Sequence, residues 1–265
     1  MAVRELRDDE PVLLHEPGSI TRLTLNRPRR RNALSHDLLE QLLGALDRCA
    51  AERETRVIVL AGNGPAFSAG HDLQEIRSAA PEAVERLFAL CSRVMLRLQQ
   101  VPQPVIARVH GVATAAGCQL VAACDLAVAA DGATFATPGV TIGLFCSTPA
   151  VPVVRAVGRK RALEMLLTGA PVDAATALAW GLVNRVVPGE RLDDEVGRLA
   201  DAIVAASADT IALGKRAFYR QLALPECDAY GVATEAMCAN AGSDDAREGI
   251  DAFLEKRRPV WRKRS

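Results

Sequence analysis

The apolar positions of this chain change period as they run from one end to the other. Ile20, Leu23 and Leu25 mark a half-buried strand that ends at Asn26-Arg27-Pro28. Leu38, Leu39, Leu42, Leu43, Leu46 and Cys49 then recur at helical spacing, behind Ser35 as the N-cap. Val57-Ile58-Val59-Leu60 is a continuous apolar run, the pattern of a strand covered on both faces, and Ala61-Gly62-Asn63-Gly64-Pro65 breaks it. Val84, Leu87, Phe88, Cys91, Met95 and Leu98 share one side of a helix over 81–100, which Pro102 and Pro104 stop. The spacing predicts a strand over 104–109, a turn over 111–117 entering a helix that runs to Cys124, and a buried strand at Leu126-Ala127-Val128-Ala129. Such repeated strand-strand-helix units predict an α/β fold with helices packed on sheet. Beyond residue 158 the pattern predicts helices over 159–167, 173–180 and 192–206, a short strand over 183–187, and helices only over 207–262.

Composition narrows the class. The 265 residues are 49% hydrophobic and 24% charged, enough for a sizeable core without disulfides or metal. Lys+Arg and Asp+Glu balance at 32 each, so no global field points to nucleic acid or to an anionic membrane. The basic run from Lys256-Arg257-Arg258 to Arg262-Lys263-Arg264 reads as a solvated tail. No apolar run has the length of a membrane span. The seven cysteines form no Cys-x-x-Cys pair and suit a reducing compartment. The four histidines lack metal-ligand spacing, so no metal is expected. Met1 to Glu10 is acidic and has neither the apolar core of a secretory signal nor the Arg-rich character of a transit peptide; a cytoplasmic protein is expected.

Two segments carry the chemistry. Pro65-Ala66-Phe67-Ser68-Ala69-Gly70-His71-Asp72-Leu73 has small residues where a ligand could approach the main chain, in a turn able to aim an N–H at a carbonyl oxygen. Thr114-Ala115-Ala116-Gly117-Cys118-Gln119 opens a helix with tiny side chains, offering free N–H groups and the positive dipole end. Either segment alone could be an ordinary tight turn or a close helix–sheet contact. Together they would make an oxyanion hole for the enolate of a thioester.

The order of these segments resembles that of the crotonase superfamily, the enoyl-CoA hydratases and isomerases. Asn26-Arg27-Pro28-x-x-x-Asn32-Ala33-Leu34 comes first, then Ala66 to Leu73, then Gly111 to Leu126. The resemblance continues through Phe135-Ala136-Thr137-Pro138, Arg155-Ala156-Val157-Gly158, Gly181-Leu182-Val183 and Phe253-Leu254-Glu255-Lys256-Arg257. It implies a ClpP/crotonase-like spiral of ββα units over 1–195 that binds acyl-CoA. Residues 196–265 are then a helical region for oligomerisation and for completing the CoA pocket. It also implies a homotrimer or dimer of trimers, and no cofactor beyond the coenzyme A of the substrate. By the same resemblance the oxyanion-hole N–H donors are His71 and Ala116. The CoA contacts are Arg31 (to phosphate), Ala33, Ala69, His71, Asp72 and Leu73, with Phe253 and Lys256 reaching a neighbour's CoA.

The chain departs from the hydratase pattern at both catalytic carboxylates. Gln119 and Gly139 stand where hydratases of the family carry glutamates. An amide can hydrogen-bond a water but cannot take its proton, and glycine offers nothing. General acid–base catalysis is worth about 10²–10⁴-fold, so ordinary hydration is expected to be weak or absent. A gain of hydration on placing glutamate at both positions would show an intact binding frame. His71 is the remaining titratable candidate, as acid, base or holder of a substrate carboxylate. Asp72 reads as a helix cap, and Cys146 and Ser147 have no evident base partner. The run Thr114 to Gln119, then Phe135 to Val140, then Gly143-Leu144-Phe145-Cys146-Ser147-Thr148-Pro149 resembles one branch, that of enoyl-CoA hydratase domain-containing protein 3. Three functions stay open: an acyl-CoA enzyme working through an enolate (weak hydratase, isomerase or decarboxylase), a non-catalytic acyl-CoA binder, or a subunit that stabilises another homologue.

Overall fold

The computed structural model describes residues 12–262. Met1 to Glu10 and the basic residues Lys263 and Arg264 lie outside the described part. In chain order, β1 (Leu13–Glu16), β2 (Ile20–Leu25), α1 (His36–Ala51) and β3 (Val57–Gly62) are followed by β4 (Ala66–Ser68), α2 (Leu73–Ser78) and α3 (Pro81–Gln100). Next come β5 (Val105–Val109), β6 (Val112–Thr114), α4 (Ala116–Ala123), β7 (Leu126–Ala130) and β8 (Thr134–Ala136). The chain goes on through α5 (Ser147–Val157), α6 (Arg159–Thr168), β9 (Val172–Asp173), α7 (Ala174–Trp180), β10 (Arg185–Val187) and α8 (Leu192–Val204). It finishes with α9 (Ala208–Gln221), α10 (Glu226–Ala241) and α11 (Asp244–Leu254).

The strands form two sheets. The larger runs β1-β2-β3-β5-β7-β10 and is parallel from β2 onward; the smaller runs β4-β6-β8-β9. Each turn of the spiral lays a long strand in the first sheet and a short one in the second, as β3 then β4, β5 then β6, and β7 then β8. The apolar run of β3 follows from this. Ile58 and Leu60 enter the main core, while Val57 and Val59 enter a second cluster with Leu192, Val196 and Ala200 of α8. Both faces are covered, so both must be apolar.

The predicted elements form largely as read. Ser35 caps α1, its side-chain oxygen accepting the Leu38 N–H at 3.3 Å. Two features differ. The short strands β4 and β6 lie inside segments that the sequence pattern reads as turns, because three residues cannot display a period. α5 forms despite Pro149 and Pro152; Pro149 falls in its first turn, where no intrahelical N–H bond is lost. The boundary at 195/196 falls inside α8, which packs on β5 and β7 and belongs to the core; the helical tail begins at α9.

The tail is tied down by a buried ion pair. Lys215 of α9, its side chain 6% exposed, donates to Asp125 Oδ2 at 2.6 Å and to the carbonyls of Leu98 and Gln103. Tyr219 donates to Asp125 Oδ1 at 2.8 Å. At the C-terminal end Arg257 grips Glu248 and Glu255, so part of the basic run is spent on internal ion pairs. Among the described residues no helix is long and apolar enough to cross a membrane.

Candidate active site

Two glycines bring the two chemical segments together. Gly117, in the first turn of α4, lies against β4 so closely that a Cβ there would meet Ser68 O at 2.2 Å. Gly70 has φ +88°, and its Cβ would fall 2.8 Å from Ala115 Cβ and 3.1 Å from Ala116 N. No larger residue fits either place. The turn after β4 and the start of α4 are thus locked side by side.

That contact leaves two N–H groups over. Leu34 pairs in parallel with His71, but it is Gly70 O that accepts the Leu34 N–H, at 2.7 Å, and Asp72 N that donates to Leu34 O, at 3.1 Å. The geometry of such a bridge points the N–H and C=O of His71 itself to the other side. Ala116 is the first residue of α4, where no carbonyl stands four residues back to take its N–H. Ala115 before it adopts φ 51°, ψ −118°, a conformation that costs an alanine energy and swings the helix start into place. Among the described backbone bonds neither N–H has an acceptor.

Both residues line one cavity of about 450 Å³. Its walls come from Ala69, His71 and Leu73, from Phe88 of α3, from Thr114 to Ala116, and from the stretch Pro138 to Pro149. Gly139 therefore lines the cavity as expected, and Cys146 does as well. Gln119 does not. It lies three residues beyond Ala116, 2% exposed, and its Oε1 has no hydrogen-bond partner.

Gly139 is not an empty place awaiting a side chain. A Cβ there would meet Leu144 O at 1.9 Å and Cys146 Sγ at 2.9 Å. The Leu144 N–H donates to Gly139 O at 2.9 Å, which folds the loop back onto it. The loop thus occupies the volume that a side chain at 139 would need, so glutamate there is no clean test of the binding frame.

His71 packs edge-on against Phe88, ring centroids 4.8 Å apart, and its Nε2 is buried without a partner. Burial pushes its pKa down to about 4, so the ring is neutral at pH 7. Burial raises the Cys146 thiol above its ordinary value, against a smaller opposing pull from the backbone at Gly139. Cys146 is thus a protonated thiol and a poor nucleophile. Thr114 adds a buried hydroxyl with no partner.

The remaining expected contacts sort by position. Ala69 and Leu73 line the cavity. Asp72 does not: it caps α2 by accepting the Gln74 N–H at 3.1 Å, and it pairs with Arg27 at 3.0 Å. Burial would raise its carboxyl, but Arg27 and the Gln74 N–H outweigh that and hold it below the usual carboxylate range. Its carboxylate is thus engaged in structural contacts. Arg31 is exposed and left-handed at φ 50°, with its carbonyl accepting the Ala69 N–H. Ala33 is half-buried beside it, its carbonyl accepting from the Arg27 guanidinium. Phe253 is 82% exposed, and neither it nor Lys256 reaches the cavity within one chain. Sequence reasoning missed the role of Phe88, which sits one apolar position among many on α3 and carries no local signal.

The sequence model of the enoyl-CoA hydratase/isomerase family matches residues 15–264. The chain belongs to this family. The enoyl-CoA hydratase domain-containing protein 3, mitochondrial, of Rattus norvegicus is 48% identical over 257 residues, 96% of this chain and 86% of that protein. The crystal structure of enoyl-CoA hydratase from Mycobacterium smegmatis superposes with a TM-score of 0.93 at 51% identity, over 95% of this chain and 99% of that one. That of human enoyl-CoA hydratase domain-containing protein 3 gives 0.91 at 45% identity, over 94% and 100%. The crotonase fold and the resemblance to the domain-containing protein 3 branch are borne out. Within this family frame the paired N–H groups and the cavity beside them mark the candidate active site.

Proposed function

We propose that this enoyl-CoA hydratase/isomerase-family protein binds an acyl-CoA thioester with its carbonyl oxygen between the N–H groups of His71 and Ala116, and that these two donors stabilise the enolate. The observation that carries this is the pair of unused N–H groups on one cavity wall. Each such donor is worth about 10²–10³ in rate. Ordinary hydration is weak or absent in this proposal, because no carboxylate lines the cavity. Of the steps an enolate permits, isomerisation suits the cavity better than decarboxylation. His71 Nε2, with a pKa of about 4, is as basic as a free glutamate carboxylate and has no other partner. A neutral ring is a poor holder for a substrate carboxylate.

The test is exchange of the substrate's α-protons into heavy water, followed by mass spectrometry, alongside crotonyl-CoA hydration. Exchange without hydration is expected, and His71→Gln should slow exchange about 10²–10⁴-fold while leaving binding in place. Hydration at the rate of an ordinary two-glutamate hydratase would overturn the proposal. The second reading is a non-catalytic acyl-CoA binder, favoured by the depressed basicity of His71; in that case binding persists with no exchange. The trimer, the contribution of Phe253 and Lys256 to a neighbour's CoA, and a phosphate contact from Arg31 belong to the same proposal. So does a cytoplasmic setting, for which the free state of all seven cysteines is the support.

A further inference from the structure

We infer that Ala115 is a specificity-determining residue, whose methyl group turns away acyl chains branched at the carbon next to the thioester. This rests on the acyl-CoA reading above and names which thioesters the same site accepts. Backbone strain marks the residue. Ala115 holds φ 51° and ψ −118°, the pair adopted by the first central residue of a type II′ turn, where glycine dominates. An alanine there costs energy that a glycine would not. The residue cannot relax, because both flanking peptides are fixed. Its N–H donates to Ala136 O at 2.9 Å, and its carbonyl accepts the Gln119 N–H at 3.0 Å. The fold thus keeps a methyl group at a place where removing it would relieve strain.

The place of that methyl gives it a role. Ala115 is half-buried, lines the cavity and immediately precedes the Ala116 donor. Its Cβ is 2.8 Å from the position that a Cβ on Gly70 would take, and Gly70 immediately precedes the His71 donor. Two Cβ atoms cannot stand there together, so glycine is kept at 70 and a methyl at 115. The methyl therefore lies in the cleft between the residues that lead into the two donors. Three covalent bonds separate it from Ala116 N, a span of about 3 Å, and an N–H donor reaches its acceptor oxygen at about 2.9 Å. Only the atoms of a thioester nearest its oxygen fall within that reach: the carbonyl carbon, the sulfur and the α-carbon. The first two are common to every thioester. What varies is the α-carbon, and a branch there competes with Ala115 for the same space. Forcing a methyl into a filled space weakens binding about tenfold.

Calorimetric titration of the whole chain with isomeric thioesters of equal carbon count tests this: pentanoyl-, 2-methylbutanoyl- and 3-methylbutanoyl-CoA. The wild type should bind the 2-methyl isomer about tenfold or more weakly than pentanoyl-CoA, and the 3-methyl isomer within about threefold of it. Ala115→Gly should shrink the first gap to about threefold or less, while Ala115→Ser, which keeps a Cβ, should preserve it. Melting supplies a second readout. An unstrained alanine replaced by glycine lowers Tm by roughly 1–4 °C in a chain of this size, whereas Ala115→Gly should melt no lower than the wild type. Equal affinity of the wild type for the straight and 2-methyl isomers, a gap that Ala115→Gly leaves unchanged, or a lower Tm for Ala115→Gly would overturn the inference and leave the acyl-CoA reading standing. Failure of every thioester to bind would instead remove the acyl-CoA reading itself.

Discussion

At the scale of single residues, Gly139 and Gln119 sit in different kinds of surroundings. Gly139 is demanded by packing. Gly139→Ala would drive a methyl into Leu144 O, so we expect a loss of about 1–3 kcal/mol in a urea melt, and more for Gly139→Glu. Gln119→Glu would bury a carboxylate at a place 2% exposed; it should destabilise the fold at pH 7 and recover near pH 4, without producing crotonyl-CoA hydration. His71 carries a pH dependence whose sign is fixed. Unfolded, the imidazole takes a proton near pH 6.5; folded, it does so only near 4. Between these values the unfolded chain holds the extra proton, so stability is full above about 6.5 and falls as the pH drops toward 4. The span corresponds to about 3 kcal/mol. Denaturation at pH 7.5 and pH 4.5 should show most of that difference in the wild type and little of it in His71→Gln. The chemical residue types at 71, 119 and 139 were all legible in the sequence. The blocked space at 139 was not, because the atom that fills it belongs to a loop five residues on, whose path is set only when α5 packs.

At the scale of elements, the site is made by what short pieces of backbone do when held from outside. β4 and β6 are three residues each and would not persist alone. They pair in parallel because β3 and β5, which feed them, are already paired in the larger sheet. The start of α4 was readable from its small residues, and its free N–H groups follow from helix geometry alone. That Ala116 and His71 come to line one cavity depends on Gly70 and Gly117 closing the gap. The tail helices show the same logic. The periodicity of α9 identified a helix but gave no sign that Lys215 and Tyr219 would meet Asp125, about ninety residues earlier. Lys215→Met should cost about 3–5 kcal/mol in a urea titration, since it leaves a buried carboxylate with its cation gone. Pairing it with Asp125→Asn should recover part of that loss; no recovery would show that the pair is not the cause.

At the scale of the whole molecule, the tail presents an apolar surface that one chain does not cover. Tyr230 is 68% exposed, Met237 67%, Phe253 82%, Leu254 71% and Val260 77%. We expect light scattering after size exclusion to give three or six protomer masses; a single protomer mass at micromolar concentration would refute the trimer. The sequence by itself determined the α/β class, the family, and the helices with long apolar faces. It could do so because periodicity and local turn chemistry act over a few residues at a time. Only the tertiary structure decided that Asp72 is spent on Arg27, that Gln119 is buried away from the cavity lining, and that α8 belongs to the core. The shape and apolar lining of the cavity, and the neutral state of His71, were decided there as well. Each of these depends on which atoms from distant parts of the chain exclude water from the same place, and no local pattern records that.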